Sequence, residues 1–121
     1  MKQEKINRAF SSLIKLRDMN LPVKKAYAIY KINSALEDAY NFALNEERKY
    51  LSEFGGVITD DGDIKFGSPE DLRAFMEKLE ELNTADVEVD TEVVSLSEND
   101  LGSQMLTPGD IYNLEGFVIF E

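Results

Sequence analysis

Apolar residues recur at three- and four-residue steps from the start of the chain: Ile6, Ala9, Phe10, Leu13 and Leu16 share one stripe, with Lys5, Arg8, Lys15 and Arg17 mainly off it. That period belongs to an amphipathic α-helix and predicts one over residues 2–19. Asn20-Leu21-Pro22 interrupts it, because the residue before proline resists helical geometry while Pro22 suits the first turn of a new helix. A second periodic stretch runs through Ala26, Ile29, Ile32, Leu36, Ala39, Ala43, Tyr50 and Phe54. It predicts a helix over 22–54, about 50 Å long at 1.5 Å per residue, stopped by Gly55-Gly56. The short joint makes the pair an antiparallel helical hairpin.

Residues 59–66, TDDGDIKF, pose a choice between a calcium loop and a turn. With Gly62 at position 6 of an EF-hand loop, Val57 falls at position 1 and Ser68 at position 12, so the first and last ligands are missing. Asp61-Gly62 between Val57-Ile58 and Ile64-Lys65-Phe66 instead reads as a β-hairpin with a two-residue type I′ turn. Ser68-Pro69-Glu70-Asp71 then opens a helix, with Ser68 as cap and Pro69 first inside. Its stripe is Leu72, Phe75, Met76, Leu79 and Leu82, ending near Asn83.

Residues 87–96, VEVDTEVVSL, alternate as a strand does: Val87, Val89 and Val93 to one side, Glu88, Asp90 and Glu92 to the other. The Val93-Val94 pair breaks the alternation and suggests a bulge or a change of burial. Residues 97–104 read as a polar loop, Thr107-Pro108-Gly109-Asp110 as the start of a short helix ended by Gly116, and Phe117–Phe120 as a closing strand. The expected fold is α+β and a single domain over 1–121: an N-terminal antiparallel helical hairpin with a long second helix (1–54), then an acidic part (55–121) holding a small antiparallel sheet with one or two short helices.

Composition narrows the chemistry. The 121 residues contain no cysteine and no histidine, which removes disulfides, the usual zinc sites and the Ser-His and Cys-His nucleophilic pairs. No GxxxxGK[ST] or GxGxxG cradles a phosphate. The expectation is therefore no enzyme, no metal and no cofactor. The polar start MKQEKINRAF does not read as a signal peptide, and no apolar run approaches a membrane span. The net charge of −11 is uneven: residues 1–50 hold ten Lys/Arg against six Asp/Glu, a net of +4, and residues 51–121 hold three against eighteen, a net of −15.

Three groups of residues are candidates for partner binding. Glu88, Asp90 and Glu92 would stand about 6.8 Å apart along one strand face, close to the spacing of phosphates along a DNA strand; a solvated outer face, or an edge strand kept from aggregating by charge, is the favoured explanation. The basic set Lys2, Lys5, Arg8, Lys15, Arg17, Lys24, Lys25 and Lys31 has few aromatic neighbours and no nucleic-acid motif, so direct nucleic-acid binding is not expected; a solvated helix face or docking to an acidic neighbour is. Tyr27, Tyr30, Tyr40 and Tyr50 on the long helix are expected to be packing or interface residues rather than catalysts, the first three being candidates for partner binding.

The stretches LPVKKAYAIYKINSALE (21–37), ELNTADVEVD (81–90) and LTPGDIYNLEGFVIF (106–120) together resemble a family of small proteins of unknown function encoded by tailed phages and prophages of Gram-positive bacteria. The resemblance implies a phage or prophage setting and action in the bacterial cytoplasm; it implies no activity. Two functions follow as expectations. One is a non-enzymatic protein-interaction or assembly accessory protein whose partner is a phage structural protein, with homo-oligomerisation through the helical hairpin. The alternative is an acidic nucleic-acid mimic that inhibits a host DNA-binding or defence protein.

Overall fold

The computed structural model describes all of residues 1–121. The hydrophobic pattern of the first third becomes two helices, α1 (Gln3–Arg17) and α2 (Val23–Glu53), which pack on each other more extensively than any other pair of elements. All five residues of the α1 stripe are buried, and they meet Ile29, Ile32 and Leu36 of α2. Burying a large aliphatic side chain stabilises by about 1.5–3 kcal/mol, so this seam anchors the fold. Pro22 takes the cap position, one residue before α2, where its extended backbone turns the chain. Ala26, expected on the buried stripe, is exposed because the core begins only at Ile29. Asn33 crosses the seam, its Nδ2 donating to the Leu13 carbonyl at 3.3 Å, and its Oδ1 is buried without a partner.

The far half of α2 is covered by α3 (Pro69–Thr84) through Phe75 and Leu82. Ser68 caps α3, accepting from the Asp71 N–H, with Pro69 at the first turn. Leu72 and Met76 of the expected stripe are exposed, because α3 meets its neighbours along a narrower line than the sequence suggested.

Between α2 and α3 stand β1 (Val57–Ile58) and β2 (Ile64–Lys65), an antiparallel pair with Ile58 opposite Ile64. Its turn differs from the expected two-residue type I′, which needs two residues with positive φ. Only Gly62 has one, at 86°. The Gly62 N–H bonds the Thr59 carbonyl and the Thr59 N–H bonds the Asp63 carbonyl, giving a three-residue loop with glycine at its left-handed position. Gly56 answers a different constraint: a Cβ there would lie 2.9 Å from the Phe66 ring and closer still to Leu51.

The expected strand 87–96 is shorter. Only β3 (Val94–Leu96) forms ladder bonds, and its partner β4 (Val118–Phe120) lies parallel to it, a second two-stranded sheet separate from the antiparallel hairpin. The connection runs through α4 (Glu98–Leu101) and α5 (Pro108–Asn113), consistent with the crossover a parallel pair requires. α4 occupies the stretch read as loop; Ser97 and Asp100 close a reciprocal capping box there. Val93, expected to point with Val87 and Val89, is exposed, and Val94 turns inward against Val118. The change of burial at that pair is therefore real, and it sits where pairing with β4 begins. Leu96, Leu114, Phe117 and Val118 complete the core over the hairpin. No helix is long and apolar enough to cross a membrane.

α5 is fastened to α1 by one buried charge. Asp110 is 5% exposed. Its Oδ1 accepts from Ser12 Oγ at 2.9 Å and Lys15 Nζ at 3.0 Å, and its Oδ2 accepts from the Thr107 N–H at 3.1 Å and hydroxyl at 3.0 Å. Burial pushes this carboxyl up, but the hydrogen bonds from Lys15, Thr107 and Ser12 outweigh it and hold the pKa at about 2, against an ordinary 3.8. A drop of that size corresponds to about 2 kcal/mol of preference for the charged form. Because the pKa is lowered on folding, the contribution is complete above pH 3.8 and disappears as the pH falls through about 2. Asp110→Asn should therefore lose about 2 kcal/mol of stability near pH 7, and the variant and the parent should converge toward pH 2. Urea denaturation at several pH values measures both; a constant difference down to pH 2 would contradict the assignment.

Candidate functional site

α2 presents its buried face through Ile29, Ile32, Leu36 and Ala43, and at 3.6 residues per turn Tyr27 lies about half a turn away from that face. Val23, Tyr27 and Tyr30 follow at i, i+4 and i+7, so they form one stripe on the outer side. They are 85%, 59% and 60% exposed. The two tyrosine rings stack with centroids 6.3 Å apart and planes 20° off parallel. Such a pair is preorganised, and a tyrosine has only two side-chain torsions to immobilise when a partner arrives.

The acidic candidates lie beside it. Glu88, Asp90 and Glu92 are all exposed, alternating with half-buried Val87, Val89 and Thr91, as the period of two requires. Lys31 joins the two groups: its Nζ stands 4.7 Å from the Tyr27 ring centroid and 3.3 Å from Glu92 Oε1. Lys25, also on α2, donates to the carbonyl of Ser95, the middle residue of β3. The structure thus brings Tyr27, Tyr30 and Glu92 into one continuous surface, with Asp90 and Glu88 extending it along the chain.

Tyr40 does not belong to this surface. It is half-buried, and its ring stacks on Phe10 of α1 at 4.3 Å, within the hydrophobic core's outer layer. Phe42, which the periodic reading passed over, is 58% exposed and borders a groove of about 640 Å³ with Ala35, Ala39, Val87 and Val89. Its signal was present in the sequence as an aromatic residue off the buried stripe of an amphipathic helix.

Much of the basic set is used inside the chain. Lys15 binds Asp110, Lys31 binds Glu92, Lys5 approaches the Phe117 ring at 5.9 Å and Arg8 the Tyr112 ring at 5.6 Å. Part of the basic N-terminal half therefore meets the acidic half of the same molecule. The other two groups with displaced pKa values are equally structural. The Glu46 carboxyl is lowered chiefly by its hydrogen bond from Lys49, and the Tyr50 hydroxyl is raised by burial and then by Glu46. Asp60, Asp61 and Asp63 lie at the hairpin tip, and no group of three or more acidic side chains converges on a metal-sized site. The arrangement is an exposed face of stacked aromatic rings flanked by carboxylates.

The division between packing and surface tyrosines is measurable. Tyr40→Ala should destabilise by about 2–3 kcal/mol, since it removes a packed ring and its stacking on Phe10. Tyr27→Ala should stay within about 0.5 kcal/mol of the parent. Urea unfolding of the two variants checks this, and equal losses would contradict the assignment.

Comparison with protein-family models, with curated proteins and with solved structures gives no match to this chain.

Proposed function

We propose that this protein is a non-enzymatic interaction or assembly accessory protein, phage- or prophage-encoded and acting in the bacterial cytoplasm, that docks a protein partner through the outer face of α2. The observation that carries the proposal is the exposed, stacked Tyr27–Tyr30 pair on the side of α2 facing away from the core. Tyrosine is among the residues that supply most binding energy at interfaces, and stacked rings held by their own helix bind with little ordering cost. The phage setting, with a phage structural protein as partner, rests on the sequence resemblance alone.

Size constrains the footprint. From Val23 to Phe42 the outer face runs about 28 Å and is roughly 10 Å wide, a projected area near a third of the roughly 800 Å² per side of a standard interface. A stable partner must therefore also engage what flanks the helix, and the extended segment at Glu88–Glu92 is adjacent through Lys31. A second copy of the chain is one such partner, giving a dimer through the helical hairpin.

A second reading is favoured by one specific observation: Glu88, Asp90 and Glu92 are exposed at alternate positions, which on a strand would be spaced by about 6.8 Å. In that reading the acidic face mimics a nucleic-acid backbone and blocks a host DNA-binding or defence protein.

Salt and substitution separate the two. The complex would be recovered with tagged protein from induced cells, and the partner identified by mass spectrometry. For docking through α2, Tyr30→Ala should weaken the affinity about thirty-fold, equivalent to about 2 kcal/mol. Raising salt from about 0.1 M to 1 M, which shortens the Debye length from about 10 Å to 3 Å, should then change the affinity only a few-fold. A salt-sensitive complex with a DNA-binding protein, lost on replacing Glu88, Asp90 and Glu92 by Gln, Asn and Gln but insensitive to Tyr30→Ala, would overturn the first reading in favour of the second. Sedimentation at micromolar concentration tests the second copy: a species of twice the monomer mass, lost in Tyr27→Ala, is expected if the hairpin pairs with itself.

A further inference from the structure

Backbone pairing along residues 85–96 has a gap. At one end the Gln3 N–H bonds the Ala85 carbonyl, and Met1 and Val87 exchange both of their bonds, at 2.7 and 3.1 Å. At the other end the Val94 N–H bonds the Phe117 carbonyl and the β3–β4 ladder begins. Between them, from Glu88 to Val93, no main-chain N–H or C=O has a hydrogen-bond partner in the chain. The segment nevertheless keeps the alternation of a strand, with Val89 and Thr91 half-buried and Glu88, Asp90 and Glu92 exposed. Six residues of extended chain span about 20 Å. This is an unpaired main-chain edge whose burial alternates as a strand's does from Glu88 to Glu92, so a neighbouring strand can be laid along it.

We propose that residues 88–93 are a β-addition site for an extended segment of a partner protein in which basic and apolar residues alternate. The proposal concerns the segment that flanks the α2 docking face, and it stands on main-chain and charge observations that do not involve the α2 tyrosines. Charge identifies the occupant. Of the three outward carboxylates only Glu92 has a cation, Lys31, while Glu88 and Asp90 have none within ion-pair distance. A strand laid along this edge gains from Lys or Arg at alternate positions opposite them. Self-pairing of this segment is disfavoured in the registers that align the acidic faces: antiparallel pairing about Asp90 sets Asp90 against Asp90 and Glu88 against Glu92, and parallel pairing in register sets each acid against itself, so a basic partner segment is the better occupant.

The inner positions of the added strand identify the other half of its pattern. Beside the segment lies the groove of about 640 Å³ that Val87 and Val89 share with Ala35, Ala39 and the exposed Phe42. Protection of an edge against aggregation accounts for the acids, but it does not account for an apolar groove left open next to that edge. Alternate apolar side chains of the incoming strand cover it, while their basic neighbours face Glu88, Asp90 and Glu92. Main-chain bonds then supply affinity and the alternating side chains supply selectivity.

An eight-residue peptide alternating Lys and Val tests this on the full chain. Titration followed by backbone amide NMR should move the resonances of residues 88–93 first and most. The same peptide N-methylated at alternate residues keeps every charge but loses the donors of one edge and the room to pair; it should bind at least ten-fold more weakly. Replacing Glu88, Asp90 and Glu92 by Lys should reverse the preference, toward a peptide alternating Glu and Val. All three carboxylates are exposed, so the fold is retained, and amide dispersion verifies it. Equal binding of the N-methylated peptide would reduce the interaction to charge attraction and overturn the proposal, as would shifts centred elsewhere on the chain. The readout is peptide pairing along residues 88–93 and not a partner on the α2 tyrosines, so failure here is distinct from failure of the α2 docking face.

Discussion

Ile6, Leu13 and Leu16 of α1 lose essentially all contact with water against Ile29, Ile32 and Leu36 of α2, and α3, α5 and β3 are placed by reference to that seam. α3 packs against both helices, α5 reaches α1 through Ser12 and Asp110, and β3 lies on α2 with Lys25 holding its Ser95 carbonyl. A cavity cut at any of the six aliphatic positions costs about 2–5 kcal/mol, a large part of the roughly 5–15 kcal/mol by which a domain is stable. The loop joining the two helices is fixed from outside as well: Gln104 accepts from the Asn20 N–H and donates back to the Asn20 carbonyl. The helical hairpin is thus a base onto which a weaker, acidic half is laid.

Charge follows the same division. The basic side chains of the hairpin are not simply a solvated face, because Lys15 and Lys31 find carboxylates in the second half of their own chain. Their contributions differ in kind. Asp110 is enclosed and hydrogen-bonded on both oxygens, so its pairing is part of the core. Lys31–Glu92 is exposed on both sides, and such a pair contributes little to stability. Its consequence is positional: it sets the acidic segment beside the tyrosine stripe.

The helices were legible because a period of 3.6 persists over many turns, and the α1 stripe is buried residue for residue as its spacing predicts. Ser68-Pro69 and Thr107-Pro108 likewise marked their helix starts through local capping chemistry. Ser97-xx-Asp100 carried the same signal for α4 and lay hidden in a polar stretch too short to show a period. The sheet was harder to read. VEVDTEVVSL has the alternation of a strand, but alternation records which side of the chain faces the core and not whether another strand lies alongside. Only three of its ten residues are in a ladder, because its partner β4 is three residues long. Among the site candidates, Tyr27 and Tyr40 could not be told apart by residue type. Their positions around α2 differ by more than a third of a turn, and that angle sends one ring outward and the other onto Phe10.

Two features are left over once the core is assembled: an aromatic stripe on the far side of α2 and an extended segment without a strand beside it. Both depend on the hairpin being rigid and complete without them. Native-state hydrogen exchange of the free protein, resolved by residue, tests this most directly. The account predicts that amides within α1 and along the Ile29–Leu36 turn of α2 exchange only through global unfolding, while those of Glu88–Val93 exchange at nearly the unprotected rate in a protein that is otherwise fully folded. Protection of residues 88–93 comparable to that of α1 would contradict it, since their main-chain groups would then already be paired.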